Sequence, residues 1–265
     1  MSGRRKAIVT DMGYSTPDRI VVRGHDLPGE LLGRIHLGDM AFLELMGRMP
    51  SHRESVLFNA LAVTLVEHGL TPSALAARLT YSGAPESIQA AVAAGLNGLG
   101  SVFVGTTEGS ARLLQEAIPD ARHPPPDLPA VAAGIVADWR ARGAAIPGIG
   151  HPLHKPIDPR TPRLFALAAE NGFDGPYIAL MKQVAEEAAR VYGKLLPINA
   201  TGAIGACCSE LGISWRACRG IGVFARAIGL VGHIMEEMHN PIARELWTRA
   251  EDEAREHALA RRDGA

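Results

Sequence analysis

A segment between Ala145 and Leu164 concentrates side chains that can bind or protonate a ligand. His151 and Arg160 stand nine residues apart in it, and the prolines around them prevent a continuous helix. The turn before His151 contains glycines, which allow the backbone to approach a ligand with exposed N–H groups. This turn consists of Pro147, Gly148, Ile149 and Gly150. The sequence therefore predicts a stiff binding loop that carries histidine and arginine side chains.

Other candidate residues lie in helical segments. Arg226 is an isolated charge in an apolar helical run, and His233 follows seven residues later on the same face. A charge in this position needs a partner, which is either a structural carboxylate or a ligand. His68 ends another apolar helix, where it either interacts with the helix dipole or binds a ligand. The residues alone leave both alternatives open.

Composition restricts the classes of ligand and the cellular location. The chain has 27 basic and 28 acidic residues, so it carries no overall field that would attract nucleic acid. Its three cysteines form neither a C-x-x-C pair nor a zinc-ligand spacing, and we expect no bound metal. We expect no membrane span and no signal peptide, because the apolar residues occur in short amphipathic runs. These features predict a cytoplasmic protein.

The patterning predicts an all-α fold with minor strands near the N-terminus. The 265 residues can bury a substantial core. Short strands are predicted at residues 8–10 and 20–23. Helices are predicted at residues 39–48, 52–68, 72–81, 85–98, 108–117, 128–142, 161–171, 176–193, 202–211, 214–229 and 230–258.

Several motifs together resemble the citrate synthase superfamily, which includes citryl-CoA lyases and the lyase module of ATP-citrate lyase. They are E-H-G at residues 67–69, G-I-G-H at 148–151 with D-P-R at 158–160, a lysine five residues before Asn199, and A-R-x-x-G at 225–229. The resemblance implies a citrate-synthase-like helical body formed by residues 1–265 as a single unit. The large helical part would contain about residues 1–150 and 225–265, and a small mobile lobe would contain about residues 151–224.

The resemblance also implies roles for individual residues. His151 would contact the substrate hydroxyl, and His68 would hold a substrate oxygen or carry a proton. Arginines would bind the substrate carboxylates, one of them across the interface of a homodimer. The carboxylate-binding residues would be Arg160, Arg226 and, across the interface, Arg244. The coenzyme A contacts would be Pro147, Gly148, Ile149, Gly150, Lys194 and Asn199, with N–H groups of the turn facing the ligand.

Two positions depart from the pattern of citrate synthases. Phe103 stands where these enzymes have a catalytic histidine, and a phenylalanine cannot polarise a thioester carbonyl. The lyase module of ATP-citrate lyase is similar in having an aromatic residue there, which favours the lyases. Thr201 stands at the catalytic position where the family has an aspartate base, and a hydroxyl is not an ordinary base near pH 7.

The resemblance implies retro-Claisen cleavage of citryl-CoA to oxaloacetate and acetyl-CoA, with the coenzyme A thioester as substrate and no metal or prosthetic group. Three alternatives remain open. The first is acyl transfer in the forward direction, as in citrate synthases, which Phe103 disfavours. The second is a lyase for another 3-hydroxyacyl-CoA, which Thr201 permits. The third is a non-catalytic protein that binds coenzyme A or a dicarboxylate.

Overall fold

The structure is a computed structural model that describes residues 7–263. As predicted, the fold is helical with a small sheet near the N-terminus. The strands are β1 (Gly13–Ser15), β2 (Ile20–Val22) and β3 (His25–Asp26), and a π-helical turn follows at Leu27–Leu31. The helices are α1 (Leu37–Met46), α2 (His52–Val66), α3 (Pro72–Gly83), α4 (Ile88–Asn97), α5 (Gly105–Ala117), α6 (Leu128–Ala141), α7 (Arg160–Glu170), α8 (Pro176–Tyr192), α9 (Ala200–Glu210), α10 (Trp215–His239) and α11 (Ala243–Asp263).

The sheet is antiparallel in the order β1-β2-β3. The strand predicted at residues 20–23 forms, and it ends where Arg23 and Gly24 adopt positive φ angles of 49° and 84°. The strand predicted at residues 8–10 is wrong, because those residues are exposed and pair with no other strand of the described chain. The first strand instead begins at Gly13, where a Cβ atom would collide with the carbonyl oxygen of Val21. Glycine therefore allows the pairing at this point.

The predicted helix boundary at residue 229 is also wrong, because α10 continues through it to His239. A Cβ atom at Gly229 would collide with the carbonyl oxygen of Val66, so this glycine serves close packing of α10 against the end of α2. The helix ends instead at His239 and is followed by the C-cap residue Asn240, where the ring of Pro241 disfavours helical geometry.

The long helix α10 meets the length and composition of a membrane span. However, half of its most apolar window is buried inside the fold. It also carries three buried polar side chains, Arg226, His233 and Glu237. A helix that is apolar on most faces and packed inside a protein is typical of a core helix.

The centre of the core is α9, in which every residue from Gly202 to Ser209 is buried. It packs against α5, α7, α8 and α10. Its small side chains permit close approach, since a Cβ atom at Gly205 would meet Ser110 Oγ at 2.5 Å. Large side chains fill the remaining core: Phe42, Phe58, Leu114, Ile178, Met181 and Ile204.

Several helix ends converge beside this core. The helix α2 ends just before His68, and α3 begins just after Thr71. The helices α7 and α9 begin at Arg160 and Ala200, and α10 contributes Arg226 from its middle. Because these ends meet, side chains from distant parts of the sequence line one cavity.

Candidate active site

A cavity of about 310 Å³ lies where these helix ends meet. It gathers many of the residues that the sequence singles out. These are His68, Phe103, Gly150, His151, Arg160, Asn199, Thr201 and Arg226. The hydroxyls of Thr64, Thr71, Ser73 and Thr106 belong to the same lining, and none of the lining residues is an aspartate or a glutamate. The cavity is therefore a cationic site rich in hydrogen-bond donors.

The tautomer of His151 follows from its hydrogen bonds. Its Nδ1 atom accepts from the backbone N–H groups of Leu153, at 3.1 Å, and His154, at 2.8 Å. The neutral ring therefore carries its proton on Nε2, which is a donor. Burial lowers the pKa of His151, and the neighbouring His154, which stacks on it at 4.3 Å, lowers the pKa further. His151 can thus donate to a substrate oxygen, whereas its Nδ1 atom is not free to act as a base.

His68 is held by the residue before it. One carboxylate oxygen of Glu67 accepts from the N–H groups of His68, at 2.9 Å, and Gly69. The ring of His68 makes no hydrogen bond to another described residue. Partial burial lowers its pKa, and the positive charges of Arg160 and Arg226 lower the pKa further. His68 is therefore a neutral imidazole that can accept a proton.

Arg160 is oriented by Asp158, which is fully buried. The carboxylate accepts from Arg160 Nε at 2.9 Å and from Arg160 Nη2 at 2.8 Å, and also from the backbone N–H of Ala200 at 2.9 Å. Burial raises the pKa of Asp158, but the hydrogen bonds from Arg160 outweigh it and bring the pKa to about 2. Asp158 is consequently a fixed anion that orients Arg160 and cannot serve as a base near neutral pH.

Arg226 is only 8% exposed, and its Nε and Nη1 atoms are buried without a hydrogen-bond partner in the described chain. Burial lowers its pKa, and the charge of Glu67 acts in the opposite direction. Arg226 lines the cavity and makes no hydrogen bond within the described chain, so its guanidinium suits an anionic ligand.

Thr201 is tied to Asn199. Its hydroxyl donates to Asn199 Oδ1 at 2.7 Å, and the same oxygen caps α9 by accepting from the N–H of Gly202. The amide of Asn199 donates to the carbonyl oxygen of Gly150 at 2.7 Å. Thr201 therefore helps to fix the start of α9 against the binding loop.

The glycine turn does not offer all its N–H groups to a ligand, which corrects the sequence prediction. The N–H of Ile149 donates to Ile146, that of Gly150 donates to Pro197 at 2.7 Å, and proline at 147 has none. Gly148, at φ 85°, instead lies against Gly202, where neither residue has space for a Cβ atom. Of this turn only Gly150 lines the cavity.

Besides three residues of the glycine turn, two predicted ligand residues lie outside the cavity of this single chain. Lys194 is exposed after α8, and Arg244 is exposed in the first turn of α11. Their roles in binding coenzyme A and in a site shared between two copies stay predictions. Among the described residues, no group of three or more His, Cys, Asp or Glu side chains is arranged to hold a metal ion.

Comparison with known proteins adds to this geometry. The sequence profile described as "Citrate synthase, C-terminal domain" matches residues 39–246, which is most of the chain. The chain belongs to the citrate synthase family. The predicted resemblance is therefore confirmed. Among curated proteins, no sequence matches the chain significantly.

Solved structures of the citrate synthase family agree with this assignment. A citryl-CoA lyase from Hydrogenobacter thermophilus is 34% identical, with a TM-score of 0.79, and the match covers 89% of this chain and 88% of that one. An ATP citrate lyase from Methanothrix soehngenii, in complex with citrate and coenzyme A, is 20% identical with a TM-score of 0.72, covering 89% of this chain and 39% of that one. A citrate synthase from Thermoplasma acidophilum is 20% identical with a TM-score of 0.61, covering 77% and 53%. The latter two show the shared fold.

This family member also has site residues that the sequence analysis missed. Asp158 is contained in the D-P-R motif, so the motif offered a signal for it. Glu67, which fixes the backbone of His68, is itself held by a residue far away in the chain, and no local pattern indicated that contact. Arg78 donates through Nε to His233 Nδ1 at 3.3 Å, and His233 Nε2 contacts Glu67 at 3.1 Å. Arg78 also pairs with Glu236 and with Glu237.

Proposed function

We propose that this protein cleaves citryl-CoA, or a closely related 3-hydroxyacyl-CoA, into oxaloacetate and acetyl-CoA. One observation carries the proposal most directly: an unpaired buried arginine, Arg226, faces the same cavity as Arg160 and the neutral His68 and His151. Such a cavity suits a dicarboxylate that also has an oxygen to be deprotonated. The 34% identical citryl-CoA lyase supports the same reaction class.

In the proposed reaction, Arg160 and Arg226 hold the two carboxylates. His151 donates from Nε2 to the tertiary hydroxyl oxygen and stabilises it as negative charge develops there. His68 accepts the hydroxyl proton, and the carbon–carbon bond breaks to give the ketone of oxaloacetate and the enolate of acetyl-CoA. The protonated His68 then returns this proton to the enolate carbon. The proton and the electron pair are thereby conserved.

The thioester side of the cavity is apolar. Leu99, Val102, Phe103 and Val104 form this wall. We infer that the wall contacts the thioester arm of coenzyme A and that Lys194, with Asn199 and the glycine turn, contacts the rest of the cofactor. Phe103 supplies no donor to the thioester carbonyl, which disfavours the forward acyl transfer.

A non-catalytic dicarboxylate-binding or coenzyme A-binding protein is the second candidate. It is favoured by the threonine at position 201, where the family pattern has a base, and by the absence of acidic residues from the cavity lining. The two candidates differ in whether His68 can replace the missing aspartate.

Turnover of citryl-CoA, followed by release of acetyl-CoA, tests the proposed lyase. Cleavage at a rate that depends on His68 and His151 is the expected result. If purified protein binds oxaloacetate and coenzyme A in calorimetry but cleaves no citryl-CoA and exchanges no methyl protons of acetyl-CoA, the binding protein replaces the enzyme.

We also propose that two copies form a homodimer with shared sites, in the cytoplasm. On α10 an apolar stripe is exposed in the single chain, with Ile228, Val231, Met235 and Met238 between 40% and 46% exposed. A second copy that covers this stripe would remove these side chains from water. In such a dimer, the exposed Arg244 of one copy would reach the cavity of the other copy.

A further inference from the structure

The carboxylate of Glu67 is held beside the cavity by three donors. It accepts from the backbone N–H groups of His68, at 2.9 Å, and Gly69, and it lies 3.1 Å from His233 Nε2. Within the described chain, His233 is the only side chain that hydrogen-bonds to Glu67. The side chain of His233 is 8% exposed, whereas that of Glu67 is 52% exposed. The packed helix α10 thus supplies the donor that restrains a half-exposed carboxylate.

The hydrogen bonds of His233 make it a donor towards Glu67. Its Nδ1 atom lies 3.3 Å from Nε of Arg78, and a guanidinium nitrogen can only donate. Nδ1 is therefore the acceptor of the ring, and the ring proton is on Nε2, which faces Glu67. Arg78 is itself fixed, because it is 1% exposed and pairs with Glu237 at 2.9 Å. The orientation of His233 consequently does not depend on Glu67.

The same carboxylate lies close to Arg226 without pairing with it. A Cβ atom at Gly229 would meet Glu67 Oε2 at 3.3 Å, and Gly229 follows Arg226 by three residues on α10. His233 follows Gly229 by four residues on the same face of the helix. Glu67 therefore lies over α10 between Arg226 and His233. In the described chain no ion pair joins Glu67 to Arg226, although the charge of Glu67 opposes the fall in the pKa of Arg226.

A pairing between Glu67 and Arg226 would damage the cavity in two ways. A buried guanidinium without a partner attracts the nearest carboxylate. If Glu67 moved onto Arg226, that arginine would no longer be available to the carboxylate of a ligand. The backbone N–H of His68 would also lose its acceptor. The contact with His233 opposes this movement.

We propose that His233 is a positioning residue, whose Nε2 donor holds Glu67 on the backbone of His68 and thereby keeps this carboxylate away from Arg226. The choice of ligand rests on the proposed function, which assigns Arg226 to a carboxylate of the substrate. His233 does not line the cavity and touches no substrate atom. Its effect on binding passes through Glu67.

The test compares two amide variants of His233 by calorimetry with oxaloacetate, using the full-length protein. In His233→Asn the amide takes the place of Nδ1, so Arg78 keeps an acceptor but Glu67 loses its donor. In His233→Gln the longer side chain carries an N–H group as far as the position of Nε2. We expect His233→Asn to weaken the affinity by about tenfold and His233→Gln to stay within about threefold of the wild type.

Removal of Glu67 tests whether His233 acts through it. In the double variant Glu67→Ala/His233→Asn, no carboxylate at position 67 can pair with Arg226. The oxaloacetate affinity should therefore return to that of Glu67→Ala alone. A general loosening of the fold would instead weaken binding in the double variant as much as in His233→Asn.

Glu236→Gln is the matched control, because it changes another partner of Arg78 without touching Glu67. It should keep the oxaloacetate affinity within about twofold of the wild type, since an exposed ion pair contributes little. Equal affinities in His233→Asn and His233→Gln, or no recovery in the double variant, would overturn the positioning role. A wild type that binds no oxaloacetate would overturn it as well.

Citryl-CoA turnover distinguishes this failure from failure of the proposed function. Cleavage by the wild type, without recovery of affinity in the double variant, keeps the lyase and removes the role of His233. Recovery of affinity without any cleavage keeps the role of His233 and removes the lyase.

Discussion

At the scale of single residues, different side chains at the cavity provide fixed charge and proton transfer. Asp158 is buried and ionised, and its carboxylate accepts hydrogen bonds from Arg160 and from the backbone N–H of Ala200. The carboxylate of Glu67 accepts a hydrogen bond from the backbone N–H of His68, and Glu67 does not line the cavity. With no acidic lining residue and with Nδ1 of His151 engaged, His68 is the group in the lining best suited to accept a proton.

His68→Ala should therefore lower kcat for citryl-CoA cleavage by about 10²–10⁴-fold, the usual contribution of a positioned acid–base group. Coenzyme A binding should be retained, since the apolar wall and Lys194 are untouched. The matched control is His123→Ala, an exposed histidine outside the cavity, which should keep the wild-type rate. Equal rates in the two variants would remove His68 from the mechanism.

The pH dependence of the reaction should follow the two cavity histidines. The pKa values of His68 and His151 lie below the ordinary 6.5 because of burial and nearby positive charge. Both rings are neutral at pH 7, the state that the mechanism requires. The midpoint of the acid limb of kcat/KM should therefore lie below about pH 6.5. An acid limb centred above pH 6.5 would contradict this assignment.

The two cavity arginines should differ in stability. Arg160→Met leaves the buried Asp158 without its partner and should lower the free energy of unfolding by about 2–3 kcal/mol, less than for a fully buried pair because Arg160 is 31% exposed. Arg226→Met removes an unpaired buried charge and should leave stability unchanged or higher. Both variants should weaken oxaloacetate binding. Chemical denaturation and calorimetry measure the two effects, and equal losses of stability would refute the contrast.

Acid unfolding should report the Asp158–Arg160 pair. The pKa of Asp158 is lowered from 3.8 to about 2, so its contribution to stability is complete above pH 3.8 and is lost as the pH falls towards 2. Unfolding in this range should be less steep in Asp158→Asn, which has no carboxylate to protonate. Denaturation curves recorded between about pH 2 and pH 5 measure the difference.

At the scale of elements, amphipathic periodicity and capping residues predicted most helices to within a few residues. The prediction failed at a glycine, because glycine either ends a helix or allows close packing within one. A helix boundary was predicted after Gly229, whereas this glycine packs against Val66, a contact that depends on a helix far away in the sequence. Local patterns also could not predict the contact between His233 and Glu67, because these residues are 166 positions apart. Local patterns predict elements, whereas contacts between distant elements need the fold.

Close packing of α9 on the binding loop should make Gly202→Ala destabilising. A Cβ atom there would collide with the carbonyl oxygen of Gly148, which should lower the free energy of unfolding by about 1–3 kcal/mol. Gly134→Ala in α6 is the matched control, because open space surrounds that position. It should raise stability by about 0.5–1 kcal/mol through helix propensity. Thermal unfolding of both variants would refute the contact if the two shifts had the same sign.

At the scale of the whole molecule, the exposed stripe on α10 predicts how copies associate. Met235→Glu should shift the protein to monomers, because a charge in the centre of an apolar interface would be desolvated without a partner. Val9→Glu, at an exposed position before β1, is the control. Sedimentation at several concentrations measures the state. Arg244→Ala should stay dimeric yet bind oxaloacetate more weakly, and full affinity in a monomeric Met235→Glu would disprove a shared site.

The absence of acidic side chains from the cavity lining also bears on the order in which products depart. After cleavage, acetyl-CoA carries no carboxylate, whereas oxaloacetate retains both of its own. Acetyl-CoA should then dissociate early, and oxaloacetate should remain bound to Arg160 and Arg226 and compete with incoming citryl-CoA. The same two arginines that bind the substrate would therefore cause product inhibition. The steady-state rate of cleavage would then depend on how quickly another enzyme consumes the 2-oxo acid.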